Sequence, residues 1–305
     1  MTEFEYEHEV YNRNFLNCSQ RQGIVALESV GCKTANLFYN AQISTDIIRE
    51  QIFLKQTPRY DFIYDGLMVR DYAMIGIKYS EVKYSSFEDA IPQLVEVINR
   101  DSFVLVSCDV FFVPHRPEFY YKKHINHFVT LLSYDAENGE WQAVDDVSSG
   151  HLANFIFTSE YLSEICNASK EKVFRAFEKL PAENRGGHDS ATGLLFANSR
   201  INRSDNFTIL EDIATMENNQ TRVESMANVF SVILGSRICF AKFLQQNPAC
   251  SEAEKLSNHI AAEARMVRDL LNIYAATGSF KREVILPKAE NIAEMEKTLS
   301  ALLES

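Results

Sequence analysis

His127-Phe-Val-Thr-Leu-Leu-Ser-Tyr-Asp135-Ala-Glu-Asn-Gly139-Glu-Trp-Gln-Ala-Val-Asp-Asp146 is the stretch on which the fold turns. His127–Tyr134 is a continuous, largely apolar run of strand length. Asp135–Gly139 is turn chemistry, with Asn-Gly as the strongest short-range hairpin signal. Glu140–Val144 returns as the partner strand. His127 and Asp146 therefore stand at opposite ends of one hairpin, where antiparallel neighbours bring them together. Phe103–Cys108 is a second strand-length apolar run, and residues 74–84 are β-rich and partly alternating.

Upstream, residues 18–30 read as a short helix with Ile24 and Leu27 on one face, ended by Gly31 as a C′ residue. A second helix is predicted over residues 44–55, opening at Ser44-Thr45-Asp46. Ser86-Phe-Glu-Asp89 is a helix start, with Pro92 in the first turns, where proline is tolerated best. Downstream the period changes. Residues 181–206 carry Pro181, Gly186-Gly187 and several asparagines, and read as a connecting segment. Residues 221–246, 251–276 and 287–303 then carry apolar side chains at uninterrupted helical spacing and predict a helical bundle. The expected organisation is a mixed α+β domain over 1–180, the connection 181–206, and a helical region over 207–305 packed on the first domain.

Cys18 opens the first helix. A thiolate is the attacking form of cysteine, and a helix N-terminus and a neighbouring imidazolium both lower a thiol's pKa. His127, polar at the head of an apolar strand, suits a base held over a cleft. A carboxylate on its far nitrogen would fix tautomer and orientation. Alternation lets only one of Asp145 and Asp146 face His127. Asp146 is favoured, because Val144 shares its face and places it on the hairpin's end. His124-x-x-His127 would hold a metal on a helix, but on a strand approach it puts the rings on opposite faces. No metal is expected. An oxyanion donor is also required. The Cys18 backbone N–H is the default, with Asn12, Asn17 and Gln20 competing as side-chain amides.

Composition bounds the rest. The chain has 305 residues, 46% hydrophobic and 24% charged, enough to bury a core. Its net charge of −12 would repel nucleic acid, and no basic patch offsets it beyond Arg116, Lys122 and Lys123. The six cysteines are scattered without a C-x-x-C pair, which argues against structural zinc and against a disulfide framework. The first ten residues are acidic and lack an apolar run, and no stretch approaches roughly 18 continuous apolar residues. The expectation is a cytoplasmic protein with no membrane or nucleic-acid partner.

Cysteine at a helix start, histidine heading one strand and aspartate closing the next is the arrangement of papain-like folds. The match extends through Phe15-Leu-Asn-Cys18, Leu37-Phe-Tyr-Asn40, Val104-Leu-Val-Ser-Cys-Asp109, Phe112-Val-Pro114 and Tyr120-Tyr-Lys-Lys-His124, and on to Tyr134-Asp135 and Asp146. In this order the chain from about 11 to 146 resembles the N-terminal domain of the butirosin biosynthesis protein H family, a branch of the papain-like superfamily. Two positions depart from its pattern: Ser133 precedes Tyr134-Asp135 where glycine is usual, and Val147 follows Asp146 where proline is usual.

The resemblance implies an α+β papain-like fold with a helical C-terminal region, and catalysis by Cys18, His127 and Asp146. Asp109 and His124, within the matching stretches, become further substrate-binding candidates. It implies transfer of an acyl group from the phosphopantetheine of a carrier protein, through a Cys18 thioester, to a small-molecule amine in natural-product biosynthesis. Phosphopantetheine then arrives on the donor, and no resident cofactor is needed. Arg116, Lys122 and Lys123 would dock the acidic carrier. Thioesterase, peptidase or amidase action on the same residues stays open, as do a non-catalytic scaffold and a homodimer.

Overall fold

In the computed structural model, residues 2–64, 67, 69–100, 102–181 and 205–304 are described. The connecting segment 181–206 therefore lies almost wholly outside the described residues. The chain divides into two compact units. One comprises Met1–Asn12, Asn17–Thr34 and Leu67–His188, and the other Arg13–Leu16, Ala35–Gly66 and Asp189–Ser305.

The first unit is built on an antiparallel sheet. Its strands are β1 (Thr2–Glu3), β2 (Ile77–Lys83), β3 (Phe103–Asp109), β4 (Asn126–Asp135), β5 (Glu140–Asp146), β6 (Leu152–Thr158) and β7 (Val173–Lys179). They lie in the order β1-β6-β5-β4-β3-β7-β2. β3 sits inside the sheet and is buried along its whole length, which explains its unbroken apolar run. The β-rich stretch from 74 begins as strand only at Ile77, after a 3-10 turn over Val69–Ile75 and Gly76 at φ 73°.

Helix α1 (Cys18–Ser29) is fixed at both ends by its sequence. Asn17 caps the N-terminus, and its side chain and that of Gln20 form a reciprocal capping box. Gly31 follows the C-cap at φ 83°, a left-handed position that glycine adopts freely. Helices α3 (Phe87–Ile98) and α4 (Ser159–Asn167) bury Phe87, Leu94, Ile98, Leu162 and Ile165 against Val104, Val106, Val129, Leu131 and Trp141 of the sheet. Fully burying a side chain of this kind contributes about 1.5–3 kcal/mol.

The β4–β5 hairpin closes as its sequence requires. Asp135 accepts from the N–H groups of Glu137 and Asn138, and Gly139 has φ 67°. Next to the turn, Asp135 pairs with Glu140 and Ser133 with Gln142. A β-bulge between Leu131 and Ser133 then shifts the register by one residue, so that Thr130 faces Val144.

The second unit holds α2 (Thr45–Ile48), running on into a π-helical turn over Arg49–Leu54, then α5 (Ile209–Thr215), α6 (Gln220–Leu244), α7 (Ser251–Thr277) and α8 (Arg282–Glu304). Its C-terminal helices follow the three apolar periods closely, though α8 begins five residues before the expected start and contains Pro287. Residues 35–66 group with these helices rather than with 1–180, because α2 and its continuation bond to them. Ser225 donates to the Ile52 carbonyl, Arg49 pairs with Asp212, and Asp46 accepts from Thr208. Helix α6 is long and apolar enough to cross a membrane by length and composition alone. Yet 83% of its most apolar window is buried inside the protein, as befits a helix hydrophobic all round at the centre of a bundle. Gly235 on α6 admits close approach by Phe15, since a Cβ there would lie 2.5 Å from that of Phe15.

Candidate active site

Cys18, partly exposed, is the first residue of α1. Arg21 N–H bonds the Asn17 carbonyl and Gln20 N–H bonds the Asn17 side chain, the usual beginning of an α-helix. The N–H groups of Cys18 and Ser19 have no carbonyl partner within the helix, because the first turn has none to offer. His127 lies near the start of β4, and its imidazole hydrogen-bonds the Cys18 sulfur, as does the Phe128 backbone N–H. His127 Nε2 is 2.6 Å from Asp145 Oδ1, which leaves Nδ1 to face the thiol.

The third member of this chain is Asp145 and not the expected Asp146. The bulge is the reason. Regular pairing continued from the turn would set Val129 against Asp146, on His127's face. The extra residue moves every partner by one and brings Asp145 to that face. Asp146 points the other way, into a structural role. It forms an ion pair with Arg21, which is fully buried and also donates to the Gly150 carbonyl at 2.6 Å. Arg116 Nη1 stands 3.9 Å from the other Asp146 oxygen.

Asp145 is held by more than His127. His115 Nε2 lies 2.8 Å from Asp145 Oδ2, so two imidazoles flank one buried carboxylate. The His115 ring stacks on Phe155 at 4.2 Å. Gln22 Nε2 donates to Asp145 Oδ1 at 3.2 Å and to the Phe128 carbonyl at 2.7 Å, while Thr130 donates to Gln22 Oε1 at 2.8 Å. With this shell the carboxylate and the imidazole are fixed before any substrate arrives.

The electrostatics follow. Burial pushes the Cys18 thiol up, but the charge and hydrogen bond of His127 outweigh it, and the pKa falls below the ordinary thiol value. Burial pulls the His127 pKa down, and the Asp145 and Cys18 charges override it and raise it to about 9. Asp145 is held well below the usual carboxylate range, because the two histidines outweigh its burial. Both shifts favour the thiolate–imidazolium form of the pair over thiol and neutral imidazole. Burial pushes the thiols of Cys108, Cys166 and Cys239 up instead.

The remaining sequence candidates divide. Asn17 and Gln20 stay close to the nucleophile in the first turn, and their carbonyl oxygens form the capping box, which does not engage their amide N–H donors. Asn12 donates to the Glu9 carbonyl at 2.8 Å within its own loop. Asp109 accepts from Phe111 N–H, Ile125 N–H and His124 Nδ1, and so ties down the loop between β3 and β4. His124 is two-thirds exposed and stacks on Phe111. Neither Asp109 nor His124 is bonded to the Cys18 chain. No cluster of three or more metal-ligating side chains occurs among the described residues. Arg116 is buried on Glu118 and Asp146, so the expected basic docking patch is reduced to Lys122 and Lys123.

Sequence reasoning missed His115 and Gln22. Gln22 had a signal: it lies four residues after Cys18, on the same helix face. His115, between Pro114 and Pro117 in an irregular segment, had none.

No family model matches the chain. Over 266 residues it is 26% identical to the ribostamycin:4-(gamma-L-glutamylamino)-(S)-2-hydroxybutanoyl-[BtrI acyl-carrier protein] 4-(gamma-L-glutamylamino)-(S)-2-hydroxybutanoate transferase of Niallia circulans. The match covers 84% of this chain and 86% of that one. Along most of its length, this chain is thus similar to a transferase whose acyl group is carried by an acyl-carrier protein.

Proposed function

We propose that the protein is a papain-like cysteine acyltransferase of natural-product biosynthesis, which moves an acyl group from a carrier-protein thioester through Cys18 to an amine. The observation that carries the reading is the unbroken series Cys18–His127–Asp145, with thiol, imidazole and carboxylate each hydrogen-bonded to the next. The likeness to a carrier-dependent transferase supports the same chemistry.

The Cys18 thiolate attacks the thioester carbonyl. The oxyanion is received by the uncommitted N–H groups at the start of α1. Collapse breaks the bond to the phosphopantetheine sulfur, which leaves as a thiol with the proton from His127. The acceptor amine then attacks the Cys18 thioester, neutral His127 takes the amine proton, and the amide departs with Cys18 again a thiolate. Asp145 stays ionised throughout and keeps Nε2 protonated. Phosphopantetheine enters with the donor, and no metal takes part.

The test is a carrier protein charged with a 4-(γ-L-glutamylamino)-2-hydroxybutanoyl group, incubated with enzyme and a panel of amines that includes ribostamycin. Discharge of the carrier with amide formation supports the proposal. Discharge to free acid at the same rate with and without every amine makes the protein a thioesterase. No Cys18-dependent discharge rejects both.

A further inference from the structure

A cleft of 180 Å3 opens in the first unit beside the nucleophile. Its rim includes Asn17 and Ser19, the two chain neighbours of Cys18. Its walls include Tyr72, Tyr79 and Phe177, packed on one another with ring centroids 5.3–5.4 Å apart. Arg175 of β7 also lines the cleft. Its guanidinium lies 4.2 Å from the centre of the Phe128 ring, the residue after His127. Nη1 donates to Ser19 Oγ at 2.9 Å, and Nε to Glu81 Oε2 at 3.1 Å.

Two groups in this cleft are unspent. A guanidinium has five N–H donors, and the bonds of Arg175 to Ser19, Glu81 and Tyr79 leave donors over for a ligand. Tyr72 is only 6% exposed, yet its hydroxyl has no hydrogen-bond partner among the described residues. A planar fork held by stacking, next to an unpaired hydroxyl, matches a carboxylate, which accepts two donors on one oxygen pair.

We infer that this cleft is the acyl subsite and that it takes a short acyl chain ending in a carboxylate, with Arg175 and Tyr72 as its recognition groups. The inference rests on the proposed acyl-enzyme at Cys18. The position of the cleft favours the acyl chain over the phosphopantetheine phosphate. The cleft's rim is formed by the residues on either side of Cys18, a few bonds from the proposed thioester. The phosphate lies at the far end of an extended arm, out of reach of a guanidinium bonded to Ser19. The small volume of the cleft suits a short chain.

The experiment measures Cys18 acylation by intact mass with the N-acetylcysteamine thioesters of glutarate, pentanoate and 5-aminopentanoate. In each case a Cys18–acyl bond forms and N-acetylcysteamine leaves as the thiol with the His127 proton. The expected result is glutaryl transfer at least about tenfold faster than pentanoyl, the effect of one charge-assisted carboxylate contact. In Arg175→Gln that ratio falls to about 1, in Tyr72→Phe it falls severalfold, and Arg175→Lys keeps part of it. Reading a ratio separates recognition from general damage to the fold. Equal wild-type rates, preference for 5-aminopentanoyl, or an unchanged ratio in Arg175→Gln would overturn the inference and leave the acyl-enzyme standing. If no thioester acylates Cys18 while iodoacetamide alkylates it, the acyltransferase reading fails and the inference falls with it.

Discussion

Exchanging each of two adjacent aspartates for asparagine separates catalysis from stability. In Asp145→Asn the His127 imidazole loses its buried anionic partner. The rise in its pKa from 6.5 to about 9 is an imidazolium preference of about 3 kcal/mol, shared between the Asp145 and Cys18 charges. Losing the larger part, together with the orientation at Nε2, should slow Cys18 acylation by roughly 100- to 1,000-fold at pH 7. The fold should suffer less, since Gln22 and His115 still offer the asparagine partners. Asp146→Asn acts on the other face. It removes the carboxylate charge that pairs with the fully buried Arg21, and breaking such a pair costs about 3–5 kcal/mol. The expected loss in Tm is on the order of 10 °C for a chain of this size. Well below that Tm, acylation should stay within about fivefold of wild type. The assays are intact-mass kinetics with one acyl thioester and differential scanning calorimetry. A crippled but thermally normal Asp146→Asn, beside an active Asp145→Asn, would refute the bulge-shifted register.

Three further outcomes follow from the same geometry. His115→Phe keeps a ring for Phe155 but removes the bond to Asp145, so acylation should fall by roughly fivefold, the net worth of about 1 kcal/mol for one hydrogen bond; a rate equal to wild type would remove His115 from the network. The acylation rate should drop as pH rises through about 9, where His127 loses the proton that the leaving thiol needs, and should drop on the acid side only below the lowered Cys18 pKa; a basic limb near 6.5 in a pH–rate profile would contradict the Asp145 contact. Gly235→Ala should cost about 1–3 kcal/mol in urea unfolding, because its Cβ would meet Phe15 at 2.5 Å; an unchanged midpoint would show that Phe15 yields freely.

Much of this arrangement is legible in the residues. The capping box at Asn17-Cys18-Ser19-Gln20 announces a helix that starts at the thiol, and Asn138-Gly139 announces the hairpin that carries His127 and the acidic pair. These are local signals, set by hydrogen bonds a few residues apart. What escapes them is non-local. The bulge between Leu131 and Ser133 leaves no mark in an apolar run, yet it exchanges Asp146 for Asp145. Arg21 looks like a solvated helix residue until Asp146 and the Gly150 carbonyl receive it in the interior. The grouping of 35–66 with the C-terminal helices depends on bonds such as Ser225 to the Ile52 carbonyl, 173 residues apart. Arg175 reads as a polar position among the apolar residues Val173, Phe174, Ala176 and Phe177, and its meaning comes from Phe128 and Ser19, which only the fold sets beside it.

The central claim is that Cys18 carries the acyl group, and peptide mapping of the intact acyl-enzyme tests it most directly. Wild-type protein mixed with an acyl thioester should gain the mass of one acyl group, located on the peptide that contains Cys18 and removed by hydroxylamine. Cys18→Ala should gain none. An adduct retained in Cys18→Ala, or mapped to Cys32 or Cys250, would contradict the account.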